Sequence, residues 1–167
     1  MIHIRPAIAA DIPLIRALIQ ELAEYEREPH SVHITEEQLL RDGFSDHPEE
    51  GRYFECLIAE ISGIPAGFAL YFPIYSTWRG RSLHLEDLFV RPQFRGHGAG
   101  KALLRHIAGI AVERGCARLQ WDVLEWNKPA IDFYRSLDAA MLDDWRRMRV
   151  TDDALAKLAA IEAKVEA

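Results

Sequence analysis

The sequence predicts one α/β domain over residues 1–167, because helical and strand periodicities alternate along it in the order β-α-α-β-β-β-α-β-α-β, with no repeat, low-complexity tract or linker to divide it. At 49% hydrophobic residues the chain is long and apolar enough to bury one proper core. In its middle, three strand-like stretches follow one another over short turns, the pattern of an antiparallel meander.

Residues 2–5 alternate apolar and polar side chains as a short strand, and Ile12, Ile15, Leu18, Ile19 and Leu22 then recur at helical spacing. Thr35-Glu36-Glu37-Gln38 fits a capping box and opens a second helix through about Asp42. The meander strands lie near residues 54–60, 66–74 and 82–90, the middle one preceded by the turn Ser62-Gly63-Ile64-Pro65. Leu103, Leu104, Ile107, Ala108, Ala111 and Val112 form the apolar stripe of a helix that stops at Gly115. A strand over residues 119–124 follows. Asn127 then caps a helix with Pro129 in its first turn, running through Ile131, Phe133, Tyr134 and Leu137. A last strand over about 141–150 and a helix from Thr151 complete the prediction.

The net charge of −6 is unevenly placed: residues 1–60 hold 13 acidic and 5 basic side chains. Such an acidic third invites a cation and disfavours nucleic acid. Glu21, Glu24, Glu26 and Glu28 crowd the end of the first helix, where they oppose the helix dipole and repel one another. They read either as a solvated face or as a wall for a positively charged substrate. No apolar run approaches the roughly 20 residues of a membrane span, and the N-terminus has no signal-peptide core, so a soluble, cytoplasmic protein with no membrane partner is expected. Cys56 and Cys116 belong to no C-x-x-C pair and read as core thiols. His84-Leu85-Glu86 has the H-x-E of a zinc deaminase but lacks the P-C-x-x-C that chemistry needs. His30 and His33 find no third ligand, so no metal is expected.

The run Arg95-Gly96-His97-Gly98-Ala99-Gly100, between an apolar strand ending Leu88-Phe89-Val90 and a helix opening at Lys101, is built to hold a phosphate. Its glycines let the backbone approach a ligand closely, and a helix start supplies unpaired N–H groups and a positive dipole end. It is not a P-loop, because Arg95 stands where the first glycine belongs and Ala102 where the metal-binding hydroxyl belongs. A dinucleotide loop is excluded by Lys101 in the place of the third glycine.

The remaining Arg-x-x-Gly-x-Gly pattern resembles the pyrophosphate loop of the GNAT superfamily of acetyl-CoA-dependent N-acetyltransferases. Further strings are similar to the spermidine/spermine (diamine) N-acetyltransferase family: Ile4-Arg5-Pro6-Ala7, Glu21-Leu22-Ala23-Glu24-Tyr25-Glu26, Asp42-Gly43-Phe44, Leu85-Glu86-Asp87-Leu88-Phe89-Val90, and Glu125-Trp126-Asn127-Lys128-Pro129-Ala130-Ile131 with Phe133-Tyr134. Tyr75-Ser76-Thr77-Trp78 resembles the thialysine-acetylating branch, where one carboxylate fewer fits a less cationic amine. The resemblance implies the GNAT fold, an α/β (α+β) mixed central sheet splayed around the acetyl-CoA site with helices on both faces. It also implies acetyl-CoA as cosubstrate, a small-molecule amine as acceptor, and a homodimer. Apolar positions near Phe72, Ile74 and Tyr75 suit either a core or that interface.

Acetyl transfer to an amine needs a base, because an alkyl ammonium with a pKa of roughly 10.4 is protonated near neutrality. Glu86 is the candidate, acting through ordered water with its pKa raised by partial burial and by Asp87; an ordinary ion pair is the lesser alternative. Asp87 is expected to bind the substrate's distal ammonium. Tyr134 reads from spacing as a core tyrosine, and the resemblance makes it the acid that returns a proton to the thiolate, with Asn127 on the pantetheine arm. Leu88, Phe89 and Val90 would bind through their backbone, Arg95 would face a phosphate, and Gly96, His97, Gly98, Ala99, Gly100 and Lys101 would line it, with His97 facing solvent. Tyr25, Glu26 and Trp78 are further substrate-side candidates, the tryptophan through a cation–π contact. Relatives have glycine where this chain has Asp138, a residue that tolerates a left-handed helix end. The residues 142–146 are also more basic than in relatives through Arg149, a place where substrate choice or the dimer contact can be set. A GNAT enzyme acting on a protein N-terminus or lysine, and a non-catalytic acetyl-CoA-binding module, are the competing readings.

Overall fold

Strands β1 (Ile2–Pro6), β2 (Glu55–Ile61), β3 (Ile64–Ser76) and β4 (Gly80–Val90) form an antiparallel meander, and β5 (Arg118–Gln120) joins it parallel to β4. The result is a mixed five-stranded sheet whose strands lie in sequence order. The computed structural model describes residues 1–45 and 51–161. These divide into two units, Met1–Asp122, which holds the sheet, and a second from Val123 onward.

In the first unit, helices cover both faces of the sheet because neighbouring strand residues point to opposite sides. Ile12, Ile15, Leu18 and Leu22 of α1 (Ile12–Tyr25) and Leu39 of α2 (Glu36–Phe44) pack with Cys56, Ile58, Phe68, Leu70 and Phe89. One step out of phase, Leu57, Ala59, Ala69, Leu83 and Leu85 are also buried, on the face met by Leu103, Leu104, Ile107 and Ala111 of α3 (Ala99–Glu113). The stripe expected on α3 is narrower than its sequence pattern, since Ala108 and Val112 are exposed. Cys116 is only partly covered, whereas Cys56 is buried as expected.

Local chemistry sets the boundaries. The Gln38 N–H donates to Thr35 Oγ1 at 3.2 Å and the Thr35 N–H to Gln38 Oε1 at 2.9 Å, the reciprocal capping box read from the sequence. Arg5 ties β1 to its surroundings, reaching Asp11 at 2.7 and 2.9 Å and Glu60 at 2.8 Å. Glu55 and Arg114 form a fork at the start of β2, and their pairing holds the Glu55 carboxyl below its ordinary range.

In the second unit, α4 (Lys128–Arg135) and α5 (Asp152–Ala159) form where expected. The strand predicted over 141–150 does not: all ten residues are exposed and join no ladder among the described residues. An isolated strand has no partner for its N–H and C=O groups, so apolar residues such as Met148 and Val150 are not enough to form one. The strand expected over 119–124 is shortened to the three residues of β5.

Gly67 is the position where a side chain would cost most in this sheet. A Cβ there would overlap the Phe89 carbonyl oxygen and stand 2.9 Å from Val90 Cα, both backbone atoms of β4. Gly67→Ala is expected to lower stability by about 1–3 kcal/mol, read as a lower thermal midpoint; an unchanged midpoint would mean that β4 shifts there at no cost.

Candidate active site

Strand β4 is paired on one side and open on the other. Leu70 of β3 stands opposite Asp87 and Tyr71 opposite Leu85, so Glu86 is the extra residue of a β-bulge. On the other side β5 pairs only with Ser82, Leu83 and His84, which leaves Leu85 to Val90 without a neighbouring strand among the described residues. The Arg91 N–H donates to Ala66 O on the β3 side at 2.9 Å. Strand alternation therefore turns the backbone polar groups of Val90, and of Leu88 two residues earlier, toward the open edge. That is a row of donors and acceptors suited to an extended ligand arm and to an acyl oxygen.

Carboxylates gather at the bulge. Burial first, then the neighbouring charges of Glu86 and Glu26, push the half-buried Asp87 carboxyl up to about 7. Burial also raises Glu26, at the end of α1. The partial burial expected of Glu86 falls on Asp87 instead, since 47% of the Glu86 side chain is exposed. The bulge explains the difference, because an unpaired extra residue is swung off the sheet face. The acidic wall is also smaller than the helix pattern implied: Arg91 binds Glu21 as a fork at 2.7 and 2.9 Å, and Glu24 and Glu28 lie exposed. Two partnerships escaped the sequence reading, Arg91 with Glu21 and His84 with Glu86, the latter at 3.3 Å. The i, i+2 spacing of His84 and Glu86 on a strand was the available signal for the second.

The glycine loop has the geometry a diphosphate needs. Gly98 caps α3 at φ +89°, Gly96 turns at φ +78°, and no side chain caps the helix start or places an acid in its first turn. Its free N–H groups and positive dipole end are thus open to an anion. Ala99 is buried, whereas Lys101 and His97 are exposed, with His97 Nδ1 2.9 Å from Arg95 O. Arg95 is turned back onto the strand end: its Nε–H donates to Val90 O at 2.9 Å, and its guanidinium lies 4.6 Å over the Tyr25 ring and 5.7 Å from that of Phe89. Among the described residues, no group of three or more His, Cys, Asp or Glu is placed to hold a metal ion.

Trp78 sits in the β3–β4 turn, 82% exposed, with Ser76 Oγ accepting its N–H at 3.3 Å. In the second unit the buried Asn127 caps α4, accepting the Ala130 N–H at 3.4 Å. Tyr134 is half-buried with its ring 5.2 Å from Phe133. Asp138 adopts φ +61°, and the Leu137 and Ala139 N–H groups donate to Tyr134 O at 3.0 and 3.2 Å, closing α4 without a glycine.

Residues 15–138 match the model of the acetyltransferase (GNAT) family. The chain belongs to that family. This GNAT chain is 40% identical, over 93% of its own length and 96% of the relative's, to a thialysine N-epsilon-acetyltransferase of Sus scrofa. It is 36% identical to a spermidine/spermine N(1)-acetyltransferase-like protein 1 of Homo sapiens, covering 94% of this chain and 24% of that one. Among solved structures, an integron cassette protein from the mobile metagenome of V. cholerae superposes with a TM-score of 0.77 at 25% identity, covering 96% of this chain and 98% of that one. The GNAT fold and the acetyltransferase activity expected from the motifs are correct, and GNAT acetyltransferases use acetyl-CoA.

The raised acid has a measurable signature. Asp87 titrates at about 7 when folded against an ordinary 3.8, so between these values the folded protein keeps a proton that the unfolded chain has lost. Stability therefore falls as pH rises through that window, and the loss is complete above about 7. Asp87→Asn removes the titration, so its thermal midpoint is expected to gain on wild type from pH 4 to 7 and run parallel above. A constant difference across the range would show that Asp87 is not the raised acid.

Proposed function

We propose that this GNAT acetyltransferase N-acetylates the primary amine of a small molecule, a thialysine-like amino acid, diamine or polyamine, by direct attack in a ternary complex with acetyl-CoA. The observation that carries this reading is the meeting of Glu26, Glu86 and Asp87 at the β4 bulge beside an open strand edge. Three acids around one point, one of them held protonated near neutrality by burial and by the charges of the other two, make a site that an ammonium suits.

In this reading Glu86, the most exposed of the three, takes the proton from the reacting ammonium through water, and Asp87 with Glu26 holds the distal positive end. The open-edge N–H groups of Leu88 and Val90 stabilise charge on the acetyl oxygen, whereas the backbone of Phe89, expected to bind as well, faces β3. Acetyl-CoA supplies an activated acyl group; the Gly96–Lys101 loop would hold its diphosphate, with Arg95 swinging from Val90 O to pair with it, and Asn127 its pantetheine arm. Tyr134 returns a proton to the departing thiolate, whose parent thiol has a pKa of roughly 8.5. The half-exposed setting of Tyr134 and the thialysine-acetylating relative support these assignments. We further place the enzyme in the cytoplasm as one catalytic domain working as a homodimer, with no nucleic-acid or membrane partner. The net charge of −6 disfavours a nucleic-acid partner, and among the described residues no helix is long and apolar enough to cross a membrane. The exposed Tyr75 and Trp78 offer apolar surface for a second copy.

Thiol release from acetyl-CoA, followed with thialysine, lysine, ornithine, putrescine, spermidine, spermine and a short basic peptide, tests the reading. Turnover is expected on the small amines, with kcat about 10²–10⁴-fold lower in Glu86→Gln. Activity on the peptide alone would favour a protein acetyltransferase, and a fully active Glu86→Gln would remove Glu86 as base.

A further inference from the structure

We infer that His84 is a positioning residue for Glu86, its buried imidazole holding the carboxylate in the orientation that receives the amine's proton. The inference rests on the reading of Glu86 as the base. His84 Nε2 lies 3.3 Å from Glu86 Oε2. The ring is 6% exposed and lies 5.1 Å from the Phe72 ring at 35°. Its backbone is paired on both sides, with Phe72 of β3 and Gln120 of β5, at the last residue of β4 to have a strand on each flank.

Glu86 has the opposite setting. It is the bulge residue with no register partner on β3, and 47% of its side chain is exposed. A glutamate on a backbone irregularity would sample many rotamers, whereas a general base has to stand within about 2.6–3.2 Å of the proton or of the water that carries it. The rigid imidazole, donating through Nε2–H, anchors one carboxylate oxygen and leaves the other free to accept. The residues facing His84 and its neighbours from β3 are Tyr71, Phe72 and Pro73, and from β5 Leu119 and Gln120. Of these only Tyr71 titrates, and its hydroxyl donates to Glu55 at 3.2 Å. The next carboxyl along β4, Asp87, is itself under the influence of Glu86 and Glu26. Glu86 is a carboxylate within reach of His84 Nε2, at 3.3 Å.

The test is a mutant cycle on thiol release with a small amine that wild type turns over. His84→Phe is expected to lower kcat roughly tenfold, a usual coupling between residues in contact, with the KM for acetyl-CoA unchanged. His84→Gln, which keeps an N–H near the place of Nε2, retains most of the activity. In a Glu86→Gln background, His84→Phe adds no further loss, because its effect passes through the carboxylate. Wild-type kcat in His84→Phe, an equal loss in His84→Gln, or a full second loss in the double variant overturns the proposal while Glu86 stands as base. Unimpaired turnover in Glu86→Gln instead removes the base assignment itself. Thermal midpoints show which variants are folded, and His84→Met takes the place of His84→Phe if the latter is not.

Discussion

The one-sided pairing of β4 is the constraint on which the rest of this structure depends. Its ten register partners on β3 lock the strand into the sheet, and three on β5 close its other side only as far as His84. Beyond that residue the strand has a neighbour on one side only among the described residues, so backbone groups that an ordinary sheet would pair with a strand point outward. The bulge falls just past the end of β5 pairing, so the change from closed to open edge and the re-aiming of Glu86 occur in consecutive residues. The glycine loop follows directly, and its left-handed turns bring the start of α3 to the same end of the strand.

Away from the bulge, charges are spent in pairs: Arg5 with Asp11 and Glu60, Arg114 with Glu55, Arg91 with Glu21. At the bulge, by contrast, Glu26, Glu86 and Asp87 gather, and burial first, then the charges of Glu86 and Glu26, make Asp87 hold its proton. Arg95 spans the two regimes. It occupies the Val90 carbonyl and covers Tyr25, the residue next to Glu26, so the phosphate side and the amine side of the site meet at one side chain.

Much of the fold was legible because its signals are local. The capping box at Thr35, the cap at Asn127 with Pro129 behind it, and the left-handed end at Asp138 involve residues within a few positions of one another, and each formed as read. The helix faces were legible from 3.6-residue periodicity, though Ala108 and Val112 show that the pattern overstates how wide a face one sheet can bury. The strand expected over 141–150 failed for the complementary reason: a strand is defined by a neighbour, and alternation within ten residues contains no information about whether one is present.

The candidate site shows the same division. By itself the sequence determined which chemistry is available, since the carboxylates of Glu86 and Asp87, the tyrosine at 134 and the glycine spacing from Arg95 to Gly100 are matters of residue type and order. Only the tertiary structure decided which acid is buried, which is neutralised and which is exposed. A pKa or an ion pair depends on what stands within a few ångströms: burial in the folded chain raises Asp87, and the partner of Glu21, Arg91, lies 70 residues away in the chain.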